Sequence, residues 1–285
     1  MHSPAATLRA LLATEAIQVM PCCFDALSAR LIEQAGFALT FMSGFATSAA
    51  RLGLPDTGLI SYGEMVDQAR SICGAVSIPV MADGDTGYGN AVNVKRTVRG
   101  YAQCGCAAVM VEDQVWPKRC GHTRGKQVVE AREAVARIRA AVDAREEGAD
   151  ILILARTDAR ATHGLDEALR RAEAFREAGA DILFVEAPRS KQEMRRICTQ
   201  VGGLQMANML EGGETPFLAP ADLEAIGYRI AAYPLTLLSA AVKAMRGALA
   251  DMKVGRQPTD RLESFPELRE ILGFEDYYRE DERYL

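Results

Sequence analysis

Eight short apolar runs, each followed by a polar or glycine-containing turn and then a longer helical stretch, constrain this 285-residue chain more than anything else in it. The runs lie at 16–22, 38–44, 78–84, 107–113, 151–157, 182–188, 204–210 and 229–235. Most are continuously apolar rather than alternating, as parallel strands covered on both faces require. Between them, residues 166–181 carry Leu169, Ala172, Phe175 and Ala178 near helical spacing and stop around Gly179. Residues 130–150 read as another helix, and 48–76 as a Pro/Gly-rich loop followed by a helix. Eight such units, with no linker or shift in composition, predict an α/β fold: a closed (β/α)8 barrel of the TIM type, with 1–285 as one domain. An open doubly wound sheet would need a Gly-rich phosphate loop after its first strand, and "PCCFDALSAR" is not one. Residues 236–285 exceed what a last helix needs and end in a charged, aromatic-rich tail. They are expected to form a C-terminal helical oligomerisation segment.

Charge and composition exclude some partners. The net charge is −5 with a pI near 5.4. There is no basic stripe with interleaved aromatics, so no nucleic-acid partner is expected. No apolar run approaches the ~18 residues of a spanning helix, so no membrane partner is expected either. The N-terminus lacks the basic and continuously apolar regions of a secretory signal. The seven cysteines are odd in number and show no disulfide or zinc spacing. A reducing compartment, most simply the cytoplasm, is expected.

In a barrel of this kind the reacting groups lie at the C-terminal ends of the strands. There the sequence places Ser43 and Gly44, Asp83 and Asp85, Glu112 and Asp113, Arg156 and Asp158, Glu186, and Asn208, with Asp56 in the loop after the second strand. So many carboxylates on one rim repel one another unless a cation is present. Oxygen ligands without a histidine cluster suit Mg²⁺ or Mn²⁺ rather than zinc. Asp83 and Asp85, before a Gly-Tyr-Gly turn, are read as metal carboxylates. Asp113 and Asp158 are read as helix caps. Arg156 ends an apolar strand, where it either pairs with Glu186 or holds a substrate carboxylate. In "KRCGH" (118–122) a thiol sits among two cations and a histidine, a setting that favours thiolate and exposes it. A reactive thiol, a metal ligand and a chance surface cysteine all remain open from these five residues alone.

The stretches "SGFATSAARLGLPD", "DGDTGYGN", "EDQVWPKRCGH", "ARTDA" and "ANMLEGGETP" together resemble the isocitrate lyase/phosphoenolpyruvate mutase superfamily over nearly the whole chain. Within it the likeness is to the branch of dimethylmalate lyases and petal-death proteins, whose members often carry the name carboxyvinyl-carboxyphosphonate phosphorylmutase. The resemblance implies a barrel with a swapped C-terminal helix, a homotetramer built as a dimer of dimers, and Mg²⁺ with Mn²⁺ as its substitute. It implies a substrate-carboxylate loop at Ser43, Gly44 and Phe45, a mobile-region acid at Asp56, and metal carboxylates at Asp83 and Asp85 with Glu112 in the outer shell. It puts Lys118, Arg119, Cys120, Gly121 and His122 on a gating loop, and Arg156, Glu186 and Asn208 in the substrate shell. Cys120 marks the lyases of the family; the phosphonate mutases lack it.

The activity implied is Mg²⁺-dependent C–C cleavage of a 2-hydroxy dicarboxylate to a 2-oxo acid and a monocarboxylate, with Cys120 as proton donor. Family members that cleave 2-methylisocitrate hold a third carboxylate with two arginines, and Ser239 and Phe265 stand at those places here. That favours a malate-type diacid of the 2,3-dimethylmalate kind over a tricarboxylate. Oxaloacetate hydrolases of the family carry a serine where this chain has Pro216, which reduces that chemistry to a side activity. The alternatives are a 2-methylisocitrate lyase and a carboxyphosphonoenolpyruvate or phosphoenolpyruvate phosphonomutase.

Overall fold

The structure, a computed structural model, describes residues 3–121 and 125–285. The His122 expected on the gating loop lies outside the described residues. All eight expected runs are strands: β1 (Gln18–Cys23), β2 (Thr40–Met42), β3 (Val80–Asp83), β4 (Ala108–Glu112), β5 (Leu152–Thr157), β6 (Ile182–Val185), β7 (Leu204–Asn208) and β8 (Ile230–Tyr233). They pair in parallel, each with the next, and β8 returns to β1 to close the barrel. The expected (β/α)8 barrel is therefore the observed fold.

Side chains alternate in and out along a strand, so the barrel interior can be read in steps of two. Met20 and Cys22 of β1, Ala108 and Met110 of β4, Leu152 and Leu154 of β5, and Ile182 and Phe184 of β6 belong to one buried apolar cluster. Phe41, Met81, Met206 and Ala232 complete it from the other strands. A helix the sequence pattern did not announce, Pro4–Leu12, adds Ala5, Leu8 and Leu12 to the same cluster. Ser3 caps it, accepting from the Ala6 N–H, and Pro4 starts it. Two residues beyond the apolar layer, strands β2 to β7 change character. Ser43, Asp83, Glu112, Arg156, Glu186 and Asn208 follow Phe41, Met81, Met110, Leu154, Phe184 and Met206.

The segment 48–76 departs from expectation. Its first part is not loop: a helix spans Gly44–Leu52, and only then comes the loop before the helix Tyr62–Cys73. Ser43 takes extended dihedrals and its Oγ accepts from the Ala46 N–H, so it is an N-cap. The helix Ala131–Glu146 falls inside its expected span, and Leu165–Glu177 begins one residue before its own.

The chain divides into two compact units, Met1–Thr236 and Leu237–Leu285. The second contains nearly all of the helix Thr236–Lys253, then Phe265–Leu272 and Phe274–Asp281. The helix Thr236–Lys253 has no buried residue. Val242, Met245, Leu249 and Met252 make an exposed apolar stripe at spacings of three and four. Among the described residues no helix is long and apolar enough to cross a membrane.

Candidate active site

The polar layer lines a cavity at the C-terminal end of the barrel. Its floor is apolar: Cys22, Phe41, Met110, Phe184, Met206 and Ala232. Above the floor stand Ser43, Asp83, Arg156, Glu186 and Asn208, with Phe45 from the helix Gly44–Leu52, and the loops contribute Asp56, Lys118, Arg119, Cys120 and Gly121. Most of the expected site residues are thus brought together. Asp85 and Glu112 lie buried behind the wall, at 0% and 2% exposure. Pro216 sits half-buried in the loop after β7 and does not line the cavity. Gly44 and Phe45, expected in a loop, instead open the helix Gly44–Leu52, whose first N–H groups have no intrahelical acceptor and favour an anion. Gly44 is required there: a Cβ would stand 2.4 Å from Asp83 Oδ2.

Four acids gather at this rim. Asp83 Oδ1 accepts from the Asp85 N–H at 2.9 Å, and the Tyr101 hydroxyl donates to the Asp83 carbonyl at 2.7 Å. Asp85 holds a left-handed backbone, φ 48°, at the start of the Gly-rich turn. Lys118, itself only 3% exposed, donates to Asp56 Oδ2 at 2.7 Å and stands 2.8 Å from Asp85 Oδ1. Burial pushes the Asp85 carboxyl up to about 6, with Asp83 and Asp56 adding to the rise and Lys118 opposing it. Burial also raises Glu112 well above the usual range, against the pull of Arg156. Burial disfavours the Lys118 charge, but Asp85, Asp83, Asp56 and Glu112 outweigh it and hold the ammonium protonated.

Two buried oxygens, Asp85 Oδ2 and Glu112 Oε1, have no hydrogen-bond partner among the described residues. Orphaned buried carboxylate oxygens are costly. They fit a hard divalent cation. Among the described residues no three carboxylate, histidine or cysteine side chains converge tightly enough to ligate an ion by themselves. Mg²⁺ does not need that: it takes one or two carboxylates and completes its shell with waters and substrate oxygens. Asp83 and Asp85, with Glu112 behind, suit such a site.

Arg156 is held from several sides. Its Nε and Nη2 donate to Asp158 at 2.8 and 3.0 Å, Glu112 lies 3.3 Å away and Glu186 3.2 Å. Its guanidinium also stands over the Phe184 ring at 5.4 Å. Glu186 is fixed by the Ala187 N–H, which donates to its Oε1 at 2.9 Å, and Asn208 lies 3.5 Å from its other oxygen. The reading of Asp113 and Asp158 as helix caps is corrected: neither caps a helix through its side chain. Asp158 clamps Arg156, while Asp113 accepts from Thr157, the Asp158 N–H and Arg171. Partners brought in from neighbouring strands and the helix Leu165–Glu177 outcompete the local cap.

The segment after β4 is tied over this cluster. The Gln114 side chain accepts from the Arg119 N–H and donates to its carbonyl. Lys126 donates to the Gly121 carbonyl and, at 3.1 Å, to Asp158 Oδ1. Gly58, at φ 75°, abuts Pro117, so the loop carrying Asp56 interlocks with it. Sequence reasoning missed Gln114 and Lys126. The weak signal was a further lysine, Lys126, close behind KRCGH.

A family model described as phosphoenolpyruvate phosphomutase matches residues 8–253. The chain is 47% identical over 274 residues to 2,3-dimethylmalate lyase of Eubacterium barkeri, covering 95% of this chain and 94% of that protein. It is 39% identical over 284 residues to 2-methylisocitrate lyase of Aeropyrum pernix, covering 99% and 91%. A crystal structure of a 2,3-dimethylmalate lyase, 38% identical, superposes with a TM-score of 0.95 over 100% of this chain and 96% of that one. A phosphonopyruvate hydrolase solved with oxalate and Mg²⁺, 31% identical, gives 0.88 over 99% of each.

Gly121 rests directly on the Arg156–Glu186 pair: a Cβ there would lie 2.4 Å from Glu186 Oε2 and 2.5 Å from Arg156 Nη2. Gly121→Ala is expected to lift the segment off the cluster. Tryptic cleavage after Lys118 and Arg119 should quicken roughly fivefold or more, with the thermal midpoint within about 2 °C of the parent. An unchanged cleavage rate would show that the segment is not seated by this contact.

Proposed function

The chain belongs to the phosphoenolpyruvate phosphomutase family, and from that footing we propose that it is a divalent-metal-dependent C–C lyase acting on a 2-hydroxy dicarboxylate of the 2,3-dimethylmalate type. The observation that carries this reading is Cys120, a thiol lining the same cavity as the acid cluster and Arg156. A phosphonate transfer has no use for a proton donor there, whereas a carbanion left by C–C cleavage needs one.

The chemistry assigns each group a task. Mg²⁺, or Mn²⁺ in its place, held by Asp83 and Asp85 with Glu112 behind, would supply Lewis-acid stabilisation of charge on substrate oxygens. The Ser43 side chain and the N–H groups of Gly44 and Phe45 orient one substrate carboxylate, and Arg156 offsets the charge of the other. Loss of the 2-hydroxyl proton lets the C2–C3 bond break. C2 becomes the carbonyl of a 2-oxo acid, pyruvate for 2,3-dimethylmalate, and the bonding pair stays on C3 beside its carboxylate. Cys120 then gives its proton to C3, releasing a monocarboxylate. Lys118, bridging Asp56 and Asp85, and Arg119 hold the segment that excludes water from the carbanion. His122 belongs to the same proposed loop.

Among the described residues the cations lining the cavity are Lys118, Arg119 and Arg156, while Leu210, Pro234 and Leu235 present an apolar wall. Lys118 and Arg156 already face two or more acids each. Of these three, only Arg119 is left to meet a third substrate carboxylate, and an alkyl substituent has a wall to pack on. This supports the diacid over 2-methylisocitrate. With Mg²⁺, pyruvate should be released from 2,3-dimethylmalate, with none in EDTA. Cys120→Ser should lower kcat by on the order of 10²–10⁴. Faster turnover of 2-methylisocitrate would overturn the substrate assignment.

The exposed stripe Val242, Met245, Leu249 and Met252 supports an assembly role for the second unit, and we read it as the swapped helix of a homotetramer, a dimer of dimers. Light scattering on the purified chain should give the mass of four copies. A monomer mass would exclude this assembly.

A further inference from the structure

We propose that Lys126 is a positioning residue whose ammonium latches the Cys120 segment onto the buried Arg156–Asp158 pair. The role goes beyond the proposed lyase reaction but rests on it for its catalytic consequence. Lys126 stands outside the residues that line the cavity. Its side chain is nonetheless only 5% exposed, although lysine normally keeps its ammonium in water. Two acceptors hold it there. One is the carbonyl of buried Gly121, immediately after Cys120; the other is Asp158 Oδ1, on a carboxylate that is itself 0% exposed.

The geometry couples two things the reaction needs. Asp158 receives both the Arg156 fork and the Lys126 ammonium, so one carboxylate joins the anion-holding arginine to the loop. Gly121 touches Arg156 and Glu186 from above, where even a methyl group would collide. The seated segment thus has a contact through Gly121 and a charged tie through Lys126. Charge balance favours the tie as well. Asp158, Glu186 and Glu112 face Arg156, and Lys126 adds a cation on the Asp158 side of the cluster. Removing its charge leaves the Gly121 carbonyl without that donor and the acids less compensated.

The test uses Lys126→Met, which keeps the stem and removes the ammonium, and Lys126→Arg, which restores the charge. The purified chain is treated with iodoacetamide and alkylation is followed peptide by peptide. Cys198, away from the cavity, reports on general loosening. Lys126→Met should speed Cys120 alkylation roughly 10- to 100-fold, the factor implied by losing one charge-assisted hydrogen bond, and leave Cys198 unchanged. Lys126→Arg should recover most of the protection. On the diacid, Lys126→Met should lower kcat by a similar factor and change KM by less than about threefold. Equal Cys120 rates in parent and Lys126→Met, or parallel acceleration of Cys198, would overturn the latch. The alkylation needs no substrate, so it decides the latch even if the chain fails to cleave the diacid.

Discussion

Asp56, Asp83, Asp85 and Glu112 are withdrawn from water at the mouth of a barrel whose floor is apolar, and this concentration of buried like charge organises what surrounds it. Desolvated carboxylates crowded together must protonate, find cations or relax apart. Here the protein supplies Lys118 to Asp56 and Asp85, and Arg156 to Glu112. It still leaves Asp85 Oδ2 and Glu112 Oε1 without hydrogen bonds among the described residues. A divalent cation, as proposed, would resolve the remainder. The same need fits the basic character of the covering segment, whose Lys118 and Lys126 bring cations onto the buried Asp85 and Asp158.

The barrel makes this arrangement possible by simple alternation. Strands β2 to β7 each place a polar residue two positions beyond an apolar one at the same end, so a dry floor and a polar rim arise from one repeat of two. The rim residues are then locked from outside the cavity. Tyr101 holds the Asp83 backbone, Ala187 the Glu186 carboxylate, and Asp158 the Arg156 fork. Rigid strand ends thus carry the proposed anion and metal positions, and a loop carries the proposed proton donor, a division suited to a reaction that must admit substrate and then exclude water.

The strands could be read directly because buried parallel strands are continuous apolar runs, and the strand-end acids because they interrupt those runs. The helix Gly44–Leu52 escaped notice because "GFATSAARL" consists mostly of small and hydroxyl residues with little apolar periodicity. What identifies it is the Ser43 cap and the close approach of Gly44 to Asp83, which arises only once β2 and β3 are side by side. Asp113 and Asp158 resembled caps because local sequence cannot show Arg171 or Lys126 arriving from elsewhere, nor that Arg156, two residues back, turns its fork onto Asp158. Gln114 closes on Arg119 only five residues on, yet that turn depends on the loop being folded over the cluster. The missed residues are those whose partners are set by tertiary structure.

The most direct test of the charge account is the thermal midpoint in EDTA and in excess Mg²⁺, for the parent and for Asp85→Asn. A ligand that binds only the folded state stabilises it by about 2.7 kcal/mol at a hundredfold excess over Kd. If the buried acids are matched to a divalent cation, Mg²⁺ raises the midpoint of the parent by several degrees and leaves that of Asp85→Asn nearly unmoved. An equal rise in both, or none in the parent, would contradict the assignment of this cluster as the metal site.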